Sequence, residues 1–238
     1  MQSTLMPAWT ANSPQLSSGD RMSQAEFHEL YEQTPEDFKA ELIGGIVYVS
    51  SPGQQEHEDA HLWLSAILLT YQMSTIGLEV CANATLILDD DAEPQPDLLL
   101  RRLPEYGGIS TSREDGYLQG PPELVIEIAH SRKSIDLHAK RHDYARNGVP
   151  EYLVYLTDEK RLRWFDLQSH HELRPDSAGI FKMRQFPGLW IDQAAVVSNN
   201  RSKMISVLQR GLSKPEHGAF VRQLAQLSQP TYREFRRA

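Results

Sequence analysis

PELVIEIA (122–129) reads as a strand and residues 135–147 as a helix, with Ser134 able to cap its start. Gly148 and Pro150 end that helix, and EYLVYL (151–156) is strand-like again. Upstream, KAELI-GG-IVYVS places two strand-like runs around Gly44-Gly45, a strong hairpin signal, and residues 57–72 carry a wide apolar helical face. Hairpin, helix, strands, helix, strand leaves few architectures open. The expectation is a mixed β-sheet with helices on its faces, an α/β or α+β core.

The remaining segments fit around that core. Ser23-Gln24-Ala25-Glu26 forms a capping box, with Met22 and Phe27 spaced as a hydrophobic staple, and predicts a helix over 24–33 that stops at Pro35. GLEVCANATLIL (77–88) and PDLLLRR (96–102) read as extended. LPEYGGISTSREDGYLQGPP then reads as a long loop of the kind that often carries function. RLRWFDL (161–167) follows EYLVYL across the turn TDEK, and FKMRQFPGLWID closes this part with a strand and an apolar loop. From about 196 the pattern is helical and ends in the basic tail TYREFRRA. These boundaries predict a flexible leader (1–20), one domain (21–195) and a C-terminal helical extension (196–238).

Composition narrows the function classes. Among 238 residues, 40% are hydrophobic and 24% charged, as in soluble globular proteins. No apolar run approaches the roughly 18 residues of a membrane helix, so no membrane partner is expected. The N-terminus lacks the basic and apolar regions of a secretory signal. Cys81 is the only cysteine, which rules out an intrachain disulfide and suits a reducing cytoplasm. The net charge of −8 weighs against general affinity for nucleic acid.

His57-Glu58-Asp59-Ala60-His61 is a literal HExxH, the spacing by which zinc peptidases hold a metal and a general base on one helix. The residues that follow give no extended HExxHxxGxxH, and the chain turns at once to strand pattern, leaving no nearby helix for a third ligand. A zinc peptidase is therefore a remote alternative, and solvated residues at a helix start are the plainer reading.

The carboxylates carry a better case. Asp97 opens a strand-like run after Pro96, and Glu127 shares one strand face with Val125 and Ala129. A glutamate among apolar neighbours is costly unless it is paired or binds a metal. Two carboxylates on adjacent strands are what Mg²⁺ or Mn²⁺ needs for phosphodiester chemistry, although a turn cap at Asp97 and an arginine partner for Glu127 explain the residues equally well. Asp136, Lys140 and Tyr144 follow at i, i+4 and i+8 on one helix face. If that face looks toward the carboxylates, Lys140 could steady a phosphoryl group.

ELIGGIVYVS, a histidine after SPG, EPQPDLLLR, PPELVIEIAHSRKSIDLHAKRHDYARNGVPEYLVY and FPGLWID occur in this order over residues 36–195. Together they resemble the Uma-type branch of the PD-(D/E)XK nuclease superfamily, restriction-endonuclease-like proteins found mostly in bacteria. The resemblance implies a restriction-endonuclease-like α/β core and a Mg-dependent DNA endonuclease. It assigns Asp97 and Glu127 as metal-binding carboxylates and adds Glu41 and His57 to the site; His61 has no counterpart. The superfamily's lysine two residues after the glutamate is Ala129 here, which makes Lys140 the candidate replacement and Lys133 a weaker one. Asp136 and Tyr144 are supporting residues.

The expectation is a cytoplasmic hydrolase acting on DNA with Mg²⁺ or Mn²⁺, and its alternative is a catalytically silent nuclease-fold binding or assembly module. A homodimer is also expected. Tyr152, Tyr155, Trp164 and Phe165 are more rings than one small core need absorb, and paired sites suit duplex cleavage.

Overall fold

The computed structural model describes residues 16–50, 55–129 and 133–228; most of the expected leader and the basic tail lie outside these. The chain runs α1 (Gln24–Tyr31), β1 (Ala40–Ile43), β2 (Ile46–Val49), α2 (Gln55–Met73), β3 (Leu78–Ala82), β4 (Leu86–Ile87) and β5 (Leu98–Arg102). It continues with β6 (Thr111–Ser112), β7 (Leu118–Gln119), β8 (Leu124–Ala129), a π-helical turn (Ile135–Lys140) and α3 (Arg141–Arg146). Next come β9 (Glu151–Leu156), β10 (Arg161–Asp166), β11 (His171–Leu173), β12 (Ile180–Lys182) and β13 (Trp190–Asp192). The last helices are α4 (Gln193–Val197), α5 (Arg201–Leu212) and α6 (Pro215–Leu227).

Six strands form the central mixed sheet in the order β11-β10-β9-β8-β5-β3. β8 and β9 pair in parallel, because the π turn and α3 carry the chain back between them, while the other neighbours are antiparallel. Alternation sorts β8 between two layers. Leu124, Ile126 and Ile128 pack with Leu153, Tyr155 and the α2 residues Leu64, Ile67, Leu68 and Tyr71. Val125, Ala129, Tyr152 and Val154 face Leu137 and Tyr144 from the π turn and α3. Glu127 belongs by alternation to this second layer, and every residue of β8 is buried.

The hairpin forms where expected, with Gly44 and Gly45 at φ 56° and 71°, the left-handed values a tight hairpin turn needs. Ser23 caps α1 through its hydroxyl, and Phe27 is fully buried.

Several sequence expectations need correction. GLEVCANATLIL is not one strand: Asn83 at φ 51° breaks it, sending β3 to the central sheet and β4 to a small sheet with β7 and β6. β6 and β7 also give the expected long loop a hairpin of its own. Ser134 has helical backbone angles and makes no capping hydrogen bond, because the helix begins as the wider π turn. In FKMRQFPGLWID two short strands, β12 and β13, pair with each other. The four rings of β9 and β10 are buried, so they complete the core and offer no dimer surface. Apart from these corrections, Met204, Leu208, Phe220 and Leu224 of α5 and α6 sit in the same core cluster as the inner face of α2.

Candidate active site

Lys140 is the hub. Its buried Nζ lies 2.7 Å from Glu41 Oε1, 3.0 Å from Glu127 Oε1 and 3.7 Å from Asp136 Oδ1. Each partner comes from a different element: β1, β8 and the π turn. The Tyr144 hydroxyl, one turn on, donates to the same Glu127 oxygen at 2.9 Å. The Gly44 N–H donates to Asp143 Oδ2 at 2.7 Å, tying the hairpin that carries Glu41 to the helix that follows Lys140. The Tyr152 hydroxyl donates to the Asp136 carbonyl at 2.9 Å and fixes the π turn against β9.

Asp97 stands just before β5, beside the Glu127 end of β8. Its Oδ2 accepts from the Ile128 N–H at 2.6 Å, and its own N–H makes a long 3.5 Å contact to Glu127 Oε2. His57 Nε2 faces Asp97 Oδ1 at 3.1 Å. His57 Nδ1 is buried without a hydrogen-bond partner among the described residues, since Glu58 Oε1 at 3.6 Å is too distant. His61, one turn along α2, puts Nε2 3.0 Å from the Asp97 carbonyl. The HExxH string therefore works as two histidines gripping one aspartate, while Glu58 points into solvent with 64% of its side chain exposed.

The structure thus brings Glu41, Glu127, Asp136 and Tyr144 around Lys140, and His57 onto Asp97. Lys133 is elsewhere, exposed and paired with Asp158 and Glu159. Two contributors escaped the sequence reading. His61 was legible as the i+4 neighbour of His57. Gln95, held extended between Pro94 and Pro96, donates its N–H to Glu41 Oε1 at 2.7 Å, and only the Pro-Gln-Pro spacing hinted at that rigidity.

The electrostatics follow from burial and charge counting. Burial pushes Glu127 well up, and Asp97, Asp136 and Glu41 add to this against the opposing Lys140. Asp136 is pushed up to about 6, again mainly by burial. Burial alone would lower Lys140, but Glu127, Glu41 and Asp136 together hold it well above its ordinary value, so it stays an ammonium. Burial would likewise raise Asp97, yet the His57 hydrogen bond and charge, with Lys140, bring it below the usual carboxylate range. The hydrogen bond to Asp97 outweighs desolvation and raises His57.

Four carboxylates thus face the Lys140 ammonium and the His57 ring. Among the described residues no three His, Cys, Asp or Glu side chains surround a common ion position. The carboxylate oxygens turn instead to Lys140, Tyr144, His57 and backbone N–H groups. The donor set still suits Mg²⁺ or Mn²⁺, because carboxylate oxygens are hard ligands.

Comparison with solved structures finds the same fold in another protein. A structure titled as "a putative nuclease belonging to DUF820", from Anabaena variabilis, aligns with a TM-score of 0.54 at 13% identity. That alignment covers 76% of this chain and 97% of the other. No curated protein matches. The family model described as "Uma2: Putative restriction endonuclease" matches residues 24–194, a span that holds every residue around Lys140 and Asp97. The chain belongs to the Uma2 family.

Proposed function

We propose that the chain is a metal-dependent nuclease that hydrolyses phosphodiesters of DNA. The observation that carries this reading is a buried ammonium bridging Glu127 and Glu41, with Asp97 bonded to the amide next to Glu127. Asp97 and Glu127 would hold Mg²⁺ or Mn²⁺, with Glu41 beside them. Bound there, the cation would polarise the phosphodiester as a Lewis acid. Lys140, kept charged by its carboxylates, places a fixed positive charge where phosphate oxygens gain charge. His57 holds the Asp97 carboxylate in one orientation, and Gln95 does the same for Glu41. Tyr144 and Asp136 position Lys140.

The test is cleavage of plasmid DNA and of RNA with Mg²⁺, Mn²⁺ or EDTA. Asp97→Asn is expected to abolish metal-dependent cleavage, and Glu58→Gln to leave it unchanged. Cleavage that survives in Asp97→Asn would sink the assignment.

One observation favours the second reading, a catalytically silent module. The cluster is already satisfied by its own lysine, tyrosine and histidine. Thermal shift separates the two, because a cation that binds the folded state at a hundredfold its Kd adds about 2.7 kcal/mol. No response to Mg²⁺, Mn²⁺ or Ca²⁺ would select the silent module.

We also propose that two copies associate. The support is an exposed apolar stripe of Leu62, Leu69 and Met73, spaced to lie along one side of α2, with Ile76 exposed in the turn that follows.

A further inference from the structure

The side of the π turn and α3 opposite Lys140 and Tyr144 borders a cavity of about 230 Å³. His138, Arg141, His142 and Ala145 line it from the helix, and Phe165, Asp166, Leu167 and His170 from β10 and the turn after it. In a chain of net charge −8 this is a concentration of basic groups.

Arg141 is its centre. The guanidinium lies over the Phe165 ring, 4.8 Å from the centroid, and among the described residues no carboxylate stands within 4 Å of it. The neighbouring arginines are spent: Arg163 and Arg161 on Glu172, and Arg184 on Asp166. Asp166 does not repel an anion as a bare charge would. Its Oδ2 holds Arg184, and its Oδ1 accepts from the Gln168 and Ser169 N–H groups. The ring contact steadies Arg141, and among the described residues its guanidinium N–H groups donate to no partner, leaving the fork that binds a phosphate bidentately. His138, His142 and His170 are exposed around it, each with ring nitrogens free for further bonds among the described residues. Phe165 cannot also stack a base, since Arg163 covers it at 5.0 Å as well as Arg141. The pocket is therefore suited to phosphate and not to a nucleobase.

We propose that Arg141, with His138, His142 and His170, forms a phosphate-docking subsite for the nucleic-acid backbone. This proposal rests on the nuclease reading. One helix then carries Lys140 toward the reacting phosphate and Arg141 toward another phosphate. The two lie across a helix roughly 10–12 Å wide, a separation of a few nucleotides along a strand. It also explains how an acidic protein can grip a polyanion: through a local anchor, without a basic surface.

The test measures binding of a labelled oligonucleotide to the full chain in EDTA, so that nothing is cleaved, across a salt series. Arg141→Gln is expected to weaken binding about tenfold and to lower the salt slope by about one. His138→Gln/His142→Gln, at exposed positions that do not endanger folding, should weaken it in the same direction. If wild type binds the oligonucleotide and both variants match it, the subsite is overturned, while the nuclease reading is judged separately by cleavage with Mg²⁺ or Mn²⁺. If wild type neither binds nor cleaves, that reading fails and the histidine ring NMR signals decide the subsite. Shifts with inorganic phosphate or a nucleoside 5′-monophosphate that vanish in Arg141→Gln would keep a subsite for free phosphate, and no shifts would overturn it.

Discussion

Lys140 shows how one residue's charge holds a site together. Removing it leaves Glu127 buried beside Glu41 and Asp136 with no cation, and breaking a buried pair from one side costs about 3–5 kcal/mol. Lys140→Met should therefore unfold at markedly lower urea concentration than wild type. Adding Glu127→Gln removes the stranded charge while keeping an acceptor for Tyr144, so the double variant should regain part of the loss. A double variant no more stable than Lys140→Met alone would mean that Glu127 is not the group Lys140 neutralises. The cycle also separates a loosened core from a lost catalytic charge, which the turnover of a Lys140 variant alone would confuse.

Among the elements, β9 links the sheet to the loop after β12. Glu151, its first residue, is buried and accepts from the Arg184 and Gln185 N–H groups, both at 2.9 Å. Burial nevertheless pushes its carboxyl up to about 7, with those N–H groups opposing. A carboxyl raised on folding stabilises the native state fully below its ordinary value near 4.5, and that contribution fades as pH rises through about 7. Stability should fall by on the order of 3 kcal/mol between about pH 5 and 8, and Glu151→Gln should flatten that slope. An unchanged slope in the variant would assign the pH dependence to other groups. Element patterns of this kind were partly legible in the sequence. Alternation in ELVIEIA foretold the face of Glu127, and Gly-Gly foretold the hairpin. The π turn was not legible, because IDLHAK suits an ordinary helix, and the contacts the turn makes, Tyr152 of β9 with the Asp136 carbonyl and Lys140 with β8 and β1, come from distant segments. Nor was the break at Asn83, since β-prone residues flank it on both sides and only the choice of sheet partner divides them. The convergence on Lys140 needed the fold, because its three carboxylate partners span residues 41 to 136.

For the whole molecule, α5 and α6 matter most because they close the α2 side of the sheet. The His217 ring bonds Thr75 Oγ1 at 2.9 Å and the Leu212 carbonyl at 3.0 Å, and the Tyr71 hydroxyl donates to the Pro187 carbonyl at 2.8 Å. Two glycines also approach closely there: a Cβ on Gly211 would meet Gly188 O at 2.2 Å and Trp190 Cγ at 2.8 Å. Gly211→Ala must therefore push α5 away from the loop before β13, and overpacking of this kind costs about 1–3 kcal/mol. Truncation after Asn199 should be far worse. It strips Met204, Leu208, Phe220 and Leu224 from the core shared with Leu64, Ile67, Leu68 and Tyr71. Each large apolar side chain lost from a core costs about 2–5 kcal/mol, and four exceed or match the roughly 5–15 kcal/mol that holds a domain folded. Residues 1–199 should then lack a cooperative thermal transition and expose apolar surface to a hydrophobic dye. If they melt cooperatively at the wild-type temperature, the helices are a dispensable extension and the α2 face is covered by something else.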